Sequence, residues 1–372
     1  MNIRFAENSD LAAVARLNSR LKAGGRDDEM PLDPALPGEA QYRPEGFPVY
    51  RRMIIAEDGQ EVRAAMMLCH HNIFINGMKR DFCWTKMPLS EGIVNLKYSL
   101  AIVQLIKRAL DYQPFMMGVG AGNSTSEGHR FFATLKWRRQ PVPFFFYPVN
   151  VSKVLRGLRY LKNNSMLRCG TLLGAYSGLG AAVSGLLSLR RKIAISLSDC
   201  EDSVVEGFDE WANHIFYNSL SDYPVAIRSD ATSLNIVYPP NDQRYIRLKV
   251  KRKGAKTEIG WIVVASKQMS DNHYFGDLKV GTLVDGFGRS EDTTALVAAG
   301  LNHLAEIGVD IIVANFSHAA WVKACRRSGM LNGPSNFHIF VSPKGGPVLE
   351  SPCPLHQIHL ARGHSDGMEN LI

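Results

Sequence analysis

Met116-Met-Gly-Val-Gly-Ala-Gly-Asn123 and Val309-Asp-Ile-Ile-Val-Ala-Asn315 are two apolar runs that each end in Asn, in opposite halves of the chain. Each follows a long amphipathic segment, Tyr98 to Leu110 in one case and Ser290 to Ile307 in the other. Each precedes a short helix pattern, Ser126 to Trp137 and His318 to Gly329, and then a last strand, Pro143 to Tyr147 and Asn336 to Val341. The halves match in plan and not letter by letter. A repeated plan of this size predicts two related α/β modules in one chain.

The chain of 372 residues is long enough for two domains. Its 45% hydrophobic and 21% charged content is that of a folded globular protein. The net charge of +8 concentrates around Lys153 to Lys192 and Arg247 to Lys256, and it attracts anions such as nucleotides, nucleic acid or lipid headgroups. The six cysteines form no Cys-x-x-Cys pair, so no metal site is expected. With no signal-peptide pattern at Met1-Asn-Ile-Arg-Phe, the expectation is a cytoplasmic protein with free thiols, possible contact with the inner face of a membrane being left open. Cys169 to Leu189 carries no charge and is flanked by Arg168 and Arg190-Arg-Lys192. Three roles are open for it: an interdomain helix, a peripheral membrane contact through 169–192, or a span.

Along the first half, Ile3 to Phe5 reads as a strand and Asn8-Ser-Asp10 as the start of a helix through Leu11, Val14, Leu17 and Leu21. Residues 26 to 48 read as a loop. Asp58-Gly59 and Asn76-Gly77 then mark two tight hairpins between three strands, the last ending at Pro88. A linker is expected over 151–202. The second half repeats a hairpin through Lys253-Gly254, a strand Lys279 to Val284, and a turn Gly286-Phe-Gly-Arg289 into a helix. Residues 346–372 read as an irregular tail.

This order resembles the GNAT superfamily of acyl-CoA-dependent N-acyltransferases over residues 1 to 148 and 203 to 343. The fold expected is α/β: two tandem GNAT-like mixed-sheet modules, 1–150 and 203–345, joined by a helical linker. The resemblance implies that the cofactor's pantetheine arm lies where two central strands part, beside Asn123 or Asn315. It also implies a pyrophosphate held by a strand-to-helix turn, whose free N–H groups receive anions. The candidate turns are Pro88 to Ile93, with Gly92, and Val284 to Ser290, with Asp285, Gly286, Phe287, Gly288, Arg289 and Ser290. The second is the more favourable to phosphate, since Glu91 opposes it in the first. The family's usual Gly at the end of the last helix is Lys136 in the first module and Gly329 in the second.

Candidate bases are Asp285, Glu258 and His318 in the second module, and Glu91 and His129 in the first. Cys69-His70-His71 places Cys69 and His71 on one face of a strand. Ala226-Ile-Arg-Ser-Asp230, Leu234-Asn235, Tyr245, Gly260 and the closing Ile358 to Gly367 are similar to runs in GNAT-like proteins of bacterial polysaccharide and exosortase gene clusters. That likeness implies transfer from acetyl-CoA or another acyl-CoA to a small-molecule or lipid-linked amine, such as an amino sugar. A Fem-like aminoacyl-tRNA-dependent transferase and a non-catalytic double module remain open; nucleic acid is otherwise not expected as a partner, and the oligomeric state is undetermined.

Overall fold

The structure is a computed structural model. It describes residues 1–32, 48–121, 127–158, 185, 189, 200–255, 257–349 and 354–364. Residues 159–199 of the proposed linker, with the membrane-contact stretch 169–192, lie outside the described residues apart from positions 185 and 189, as does Asn123. No helix among the described residues is long and apolar enough to cross a membrane.

The strands are β1 (Asn2–Phe5), β2 (Tyr50–Asp58), β3 (Glu61–Ile75), β4 (Met78–Ser90), β5 (Met116–Ala121), β6 (Arg138–Pro141), β7 (Phe144–Pro148), β8 (Cys200–Val205), β9 (Val225–Ile227), β10 (Ile246–Arg252), β11 (Glu258–Gln268), β12 (Lys279–Gly288), β13 (Ile311–Asn315), β14 (Leu331–Gly333), β15 (Phe337–Val341) and β16 (Ile358–His359). The helices are α1 (Leu11–Ala23), α2 (Ala101–Tyr112), α3 (Glu127–Thr134), α4 (Val151–Gly157), α5 (Glu210–Ser219), α6 (Ala231–Val237), α7 (Thr293–Glu306), α8 (Ala319–Arg327) and α9 (Gly345–Val348). The predicted hairpins are present. Asn76 and Gly77 take φ of 49° and 76°, the left-handed values a two-residue turn requires, and β3 and β4 pair from Ile75↔Met78 onward.

One sheet runs β1-β2-β3-β4-β5-β15-β6 and the other β14-β7-β13-β12-β11-β10-β8. The final strands are therefore exchanged. Phe144 to Pro148, expected to close the first module, pairs antiparallel with β13 of the second. Phe337 to Val341, expected to close the second, lies between β5 and β6 of the first. The compact units are accordingly Met1–Gln140 with His338–Cys353, and Pro141–Phe337 with Pro354–Ile372. Two further readings are corrected. Residues 200–205, placed in the linker and at the module's edge, form the edge strand β8. Within the tail read as irregular, Leu355–Gln357 forms a 3-10 turn and β16 a two-residue strand, and Ile358, His359, Leu360 and Ala361 are buried.

In the first unit, period-2 alternation divides the side chains between two cores. Ile54, Ala56, Ala64, Met66 and Leu68 face α2 through Leu105 and Ile106. Met53, Ile55, Ala65 and Met67 face α1 through Val14, Leu17 and Leu21. A sheet covered on both faces explains the near-continuous apolar runs of β2 and β3. In the second unit α7 presses so closely on its sheet that a Cβ on Gly300 would meet Leu283 at 2.8 Å.

The repeat extends to single hydrogen bonds. α3 ends with Lys136 N–H to Ala133 O and Trp137 N–H to Phe132 O; α8 ends with Gly329 N–H to Arg326 O and Met330 N–H to Cys325 O. Both are the same helix stop, with its pivot residue left-handed: φ is 58° at Lys136 and 84° at Gly329. A Cβ is disfavoured there by roughly 1 kcal/mol. Lys136→Gly should therefore raise stability by about 0.5–1 kcal/mol, and Gly329→Ala should lower it by a similar amount, read by urea unfolding.

Candidate functional site

Each sheet has one central parallel strand pair that stops pairing part-way. In the second unit β12 and β13 pair from Val280↔Ile311 to Leu283↔Ala314 and no further. The gap beyond is occupied by the chain itself. Phe316 forms a bridge with Ala361, Ser317 N–H donates to Leu360 O at 3.0 Å, and Gly363 N–H donates to Val284 O at 2.7 Å. A Cβ on Gly363 would lie 2.2 Å from the Tyr238 hydroxyl, so only glycine lets the tail pass.

The expected turn at Asp285 to Ser290 is not a turn over most of its length. β12 continues through it, with Gly286 opposite Ile262, Phe287 opposite Trp261 and Gly288 opposite Gly260. Gly286 is needed for packing: a Cβ would stand 2.6 Å from the Trp321 ring. Val284 and Phe287 are core residues, and Arg289, where the turn begins, is exposed. Ser290 N–H and hydroxyl both donate to Asp222 Oδ2, at 2.8 and 3.0 Å. A carboxylate thus occupies the donors expected to receive phosphate. Asn315 donates to Pro143 O at 3.1 Å and accepts from Arg362.

The candidate bases separate. Asp285 and His318 belong to one buried polar chain, together with Tyr223, Tyr238, His359 and His364, none of which the sequence pattern singled out as catalytic. Asp285 accepts from the Tyr238 hydroxyl at 2.9 Å and from Gly286 N–H at 2.8 Å. Burial outweighs both bonds and pushes its carboxyl up to about 7. His364 Nδ1 accepts from Ala361 N–H, and its Nε2 stands 3.7 Å from Asp285 Oδ2. Burial lowers His364 to about 4, so its imidazole is uncharged at neutral pH and the contact is not an ion pair. The His359 ring packs edge-on to Phe287 and Tyr223, and neither ring nitrogen reaches a hydrogen-bond partner; the Gly286 backbone exerts only a weak pull. His318, lowered by burial to about 4, lies over the Tyr223 ring at 4.6 Å. This chain of groups is closed to solvent and holds its histidines uncharged.

Glu258 lies apart, 3.3 Å from Lys249 across the sheet. Glu91 is buried; burial raises its pKa, but bonds from Arg63 and Arg20, each at 2.8 Å, outweigh that and hold it ionised. His129 falls in α3, with its side chain outside the description. Cys69, His70 and His71 are all buried, and His70 stacks on Tyr50 at 4.5 Å. The run from Arg228 to Asn235 is explained locally. Asp230 caps α6 through Ser233 N–H at 3.0 Å and pairs with Arg228, and Asn235 clamps both backbone groups of Phe208.

In the first unit β4 and β5 pair over Cys83↔Met116, Trp84↔Met117 and Thr85↔Gly118, then part. Lys86, Met87 and Pro88 beyond that point are only half-buried. Met87 has φ of 48°, and the β3–β4 register shifts between Ala65 and Met67, a bulge that turns the strand edge. Gly92 packs against the backbone of Tyr98 and Ser99, and its N–H is taken by Ser90 Oγ at 3.1 Å. α2 then begins at Ala101 with no side-chain cap and no acid in its first turn. Its first N–H groups and the positive end of its dipole are available to an anion. Nearer the start of β4, a cavity of about 200 Å³ is lined by Tyr50, His70, Asn72, Asp81 and Tyr112 among others.

No protein-family model matches the chain, and no curated protein does. Solved structures do. Saccharomyces cerevisiae N-myristoyltransferase with bound myristoyl-CoA and inhibitors aligns with 91% of this chain and 79% of its own, at a TM-score of 0.52 and 8% identity. The glucosamine N-acetyltransferase region of a fungal multi-domain GH3 β-N-acetylglucosaminidase aligns with 91% of this chain and 38% of that one, at 0.51 and 11%. A tandem GNAT protein from the clavulanic acid biosynthesis pathway aligns with 92% and 98%, at 0.47 and 9%. At these identities the likeness is one of fold: an α/β chain with two GNAT-like mixed sheets.

The buried chain sets a pH signature. Asp285, with a pKa of about 7 against an ordinary 3.8, adds stability that is full below 3.8, falls as pH rises and is gone above about 7. His318 and His364, about 4 against 6.5, add stability that is full above 6.5 and lost as pH falls toward 4. Asp285→Asn removes the first contribution only. Its stability relative to wild type should rise steadily between pH 4 and pH 7 in isothermal denaturation; a pH-independent difference would contradict the burial argument.

Proposed function

We propose that this protein transfers an acyl group from acyl-CoA to an amine, with the first unit holding the cofactor. The observation that carries this is the parting of β4 and β5 beside the uncapped start of α2. An extended thioester arm has a half-buried strand edge to lie along, and a pyrophosphate has unpaired N–H donors to meet. The structural neighbours support the reaction class: they include an N-myristoyltransferase with bound myristoyl-CoA and a glucosamine N-acetyltransferase region. The second unit repeats the architecture, but the tail and Asp222 stand in its cofactor positions, which favours a supporting role for it.

The acceptor we propose is a small amine of amino-sugar size, such as a cell-envelope precursor. The cavity at Tyr50, Asp81 and Tyr112 supports that class, because aromatic faces and a carboxylate together suit a protonated, ring-shaped ligand. Transfer itself needs the amine deprotonated and the thiolate protonated, steps that positioning and hydrogen bonding accelerate.

Isothermal titration of acetyl-CoA and longer acyl-CoAs tests the cofactor assignment. Ser99→Glu should weaken binding at least tenfold while leaving the fold intact, since an acid at a helix start stabilises the helix but repels phosphate. Arg289→Glu, at the corresponding turn of the second unit, should leave affinity unchanged. Binding lost in Arg289→Glu and kept in Ser99→Glu would reverse the assignment. No binding by wild type would remove the acyl-CoA reading.

A further inference from the structure

Arg362 lies where β12 and β13 part, at the far end of the tail segment that fills the gap. It is 7% exposed. Its Nη1 donates to Asn315 Oδ1 at 2.5 Å, and the guanidinium stands 5.6 Å over the Phe337 ring. Among the described residues no other group holds it. Nε is buried without a hydrogen-bond partner, while Nη2 makes no hydrogen bond and keeps contact with solvent. Among the described residues no carboxylate pairs with it. Burial is the one influence on its acidity, lowering it to about 10, so the group remains a cation at neutral pH.

A buried cation without a counter-charge is costly, and proteins retain one where something else supplies the anion. Arg247 in the same unit provides the contrast. It is equally buried, at 4% exposed, but its guanidinium is spent on the carbonyls of Tyr238, Pro239, Asp242 and Tyr245. Arg247 is a clamp. Arg362 is fixed by one amide through Nη1 and leaves the Nε–Nη2 edge of its planar fork unspent. That edge is the one that takes two oxygens of an oxyanion together.

We propose that Arg362 is the anchor of an anion-binding site at the end of β13, taking a carboxylate or phosphoryl group of a ligand through its Nη2 side, with Nε completing the fork. Asn315 is the positioning residue that sets the plane of the guanidinium. The site belongs to the second unit and does not depend on the acyl-CoA assignment in the first.

The test is thermal unfolding of the full chain with about 20 mM N-acetylglycine or methyl phosphate, against sodium chloride at the same ionic strength. Wild type should gain about 3 °C with at least one probe. A response to N-acetylglycine alone identifies a carboxylate ligand, and one to methyl phosphate alone a phosphoryl ligand. Arg362→Met should lose the response and, without added anion, be no less stable than wild type, because removing an unpaired buried charge relieves its cost. The proposal is overturned if neither probe shifts wild type, if Arg362→Met responds as wild type does, or if Arg362→Met is destabilised and Arg362→Lys restores stability without any anion. Should Arg362→Met not fold, phenylglyoxal labelling of wild type replaces it. The shifting probe should slow modification of Arg362 at least fivefold, and unchanged labelling would also overturn the proposal.

Discussion

The pairing of β7 with β13 is the constraint on which the rest of the second unit depends. Ile311 to Asn315 is a fully buried central strand, and it needs hydrogen-bond partners on both edges. β12 supplies one edge only as far as Ala314. The other edge is satisfied from Pro148 to Phe144. That strand belongs by chain order to the first half, so neither sheet is complete until both halves of the chain have been made. The long-range pairings on which this depends bring a loop-closure cost that local hairpins do not carry.

Two equivalent openings, one in each sheet, receive different treatment. In the first unit the bulge at Met87 and the missing N–H of Pro88 leave the β4 edge half-buried. In the second, a peptide segment supplies the hydrogen bonds and a glycine clears its path. The same backbone geometry is thus filled by the chain in the second unit, while in the first it leaves Lys86, Met87 and Pro88 half-buried. The filling also buries His359, His364 and Arg362, which would otherwise be ordinary surface residues of a tail. Their depressed pKa values follow from the position of the tail and not from any local motif.

Much of the fold was legible because its signals are local. Asn76-Gly77 fixes a hairpin by the φ its turn requires, and the alternation in β2 and β3 assigns α1 and α2 to opposite faces. The exchanged strands were not legible. In Phe144 to Tyr147 alternate side chains, Phe145 and Tyr147, are fully buried, and that period-2 pattern would suit the edge of either sheet. The Gly286-x-Gly288 pair misled for a related reason. Two glycines near a helix start read as a turn, whereas here they allow Trp321 and Leu296 to approach a strand closely. Asp222 on the Ser290 N–H lies 68 residues away in sequence, beyond the reach of spacing arguments.

The composition of the tail explains why its role was hidden. Proline, glycine and histidine are poor formers of regular structure, so the segment after Pro343 reads as a loop. Yet a segment can be irregular and still be core, if its backbone groups find partners. Ser317 and Val284 provide them for Leu360 and Gly363. Once the backbone is so held, each side chain takes the environment it meets. Ile358 and Leu360 join the apolar core, and His359 is carried in among aromatic rings. Arg362 arrives with a charge that no carboxylate among the described residues matches, because Asn315 at the end of β13 offers an amide where an ion pair would need a carboxylate. An aspartate at that position would neutralise the arginine but would lose the bond that the amide donates to Pro143 O. The amide keeps the cation in place and, among the described residues, leaves its charge uncompensated, which is the arrangement expected where the balancing anion comes from a ligand.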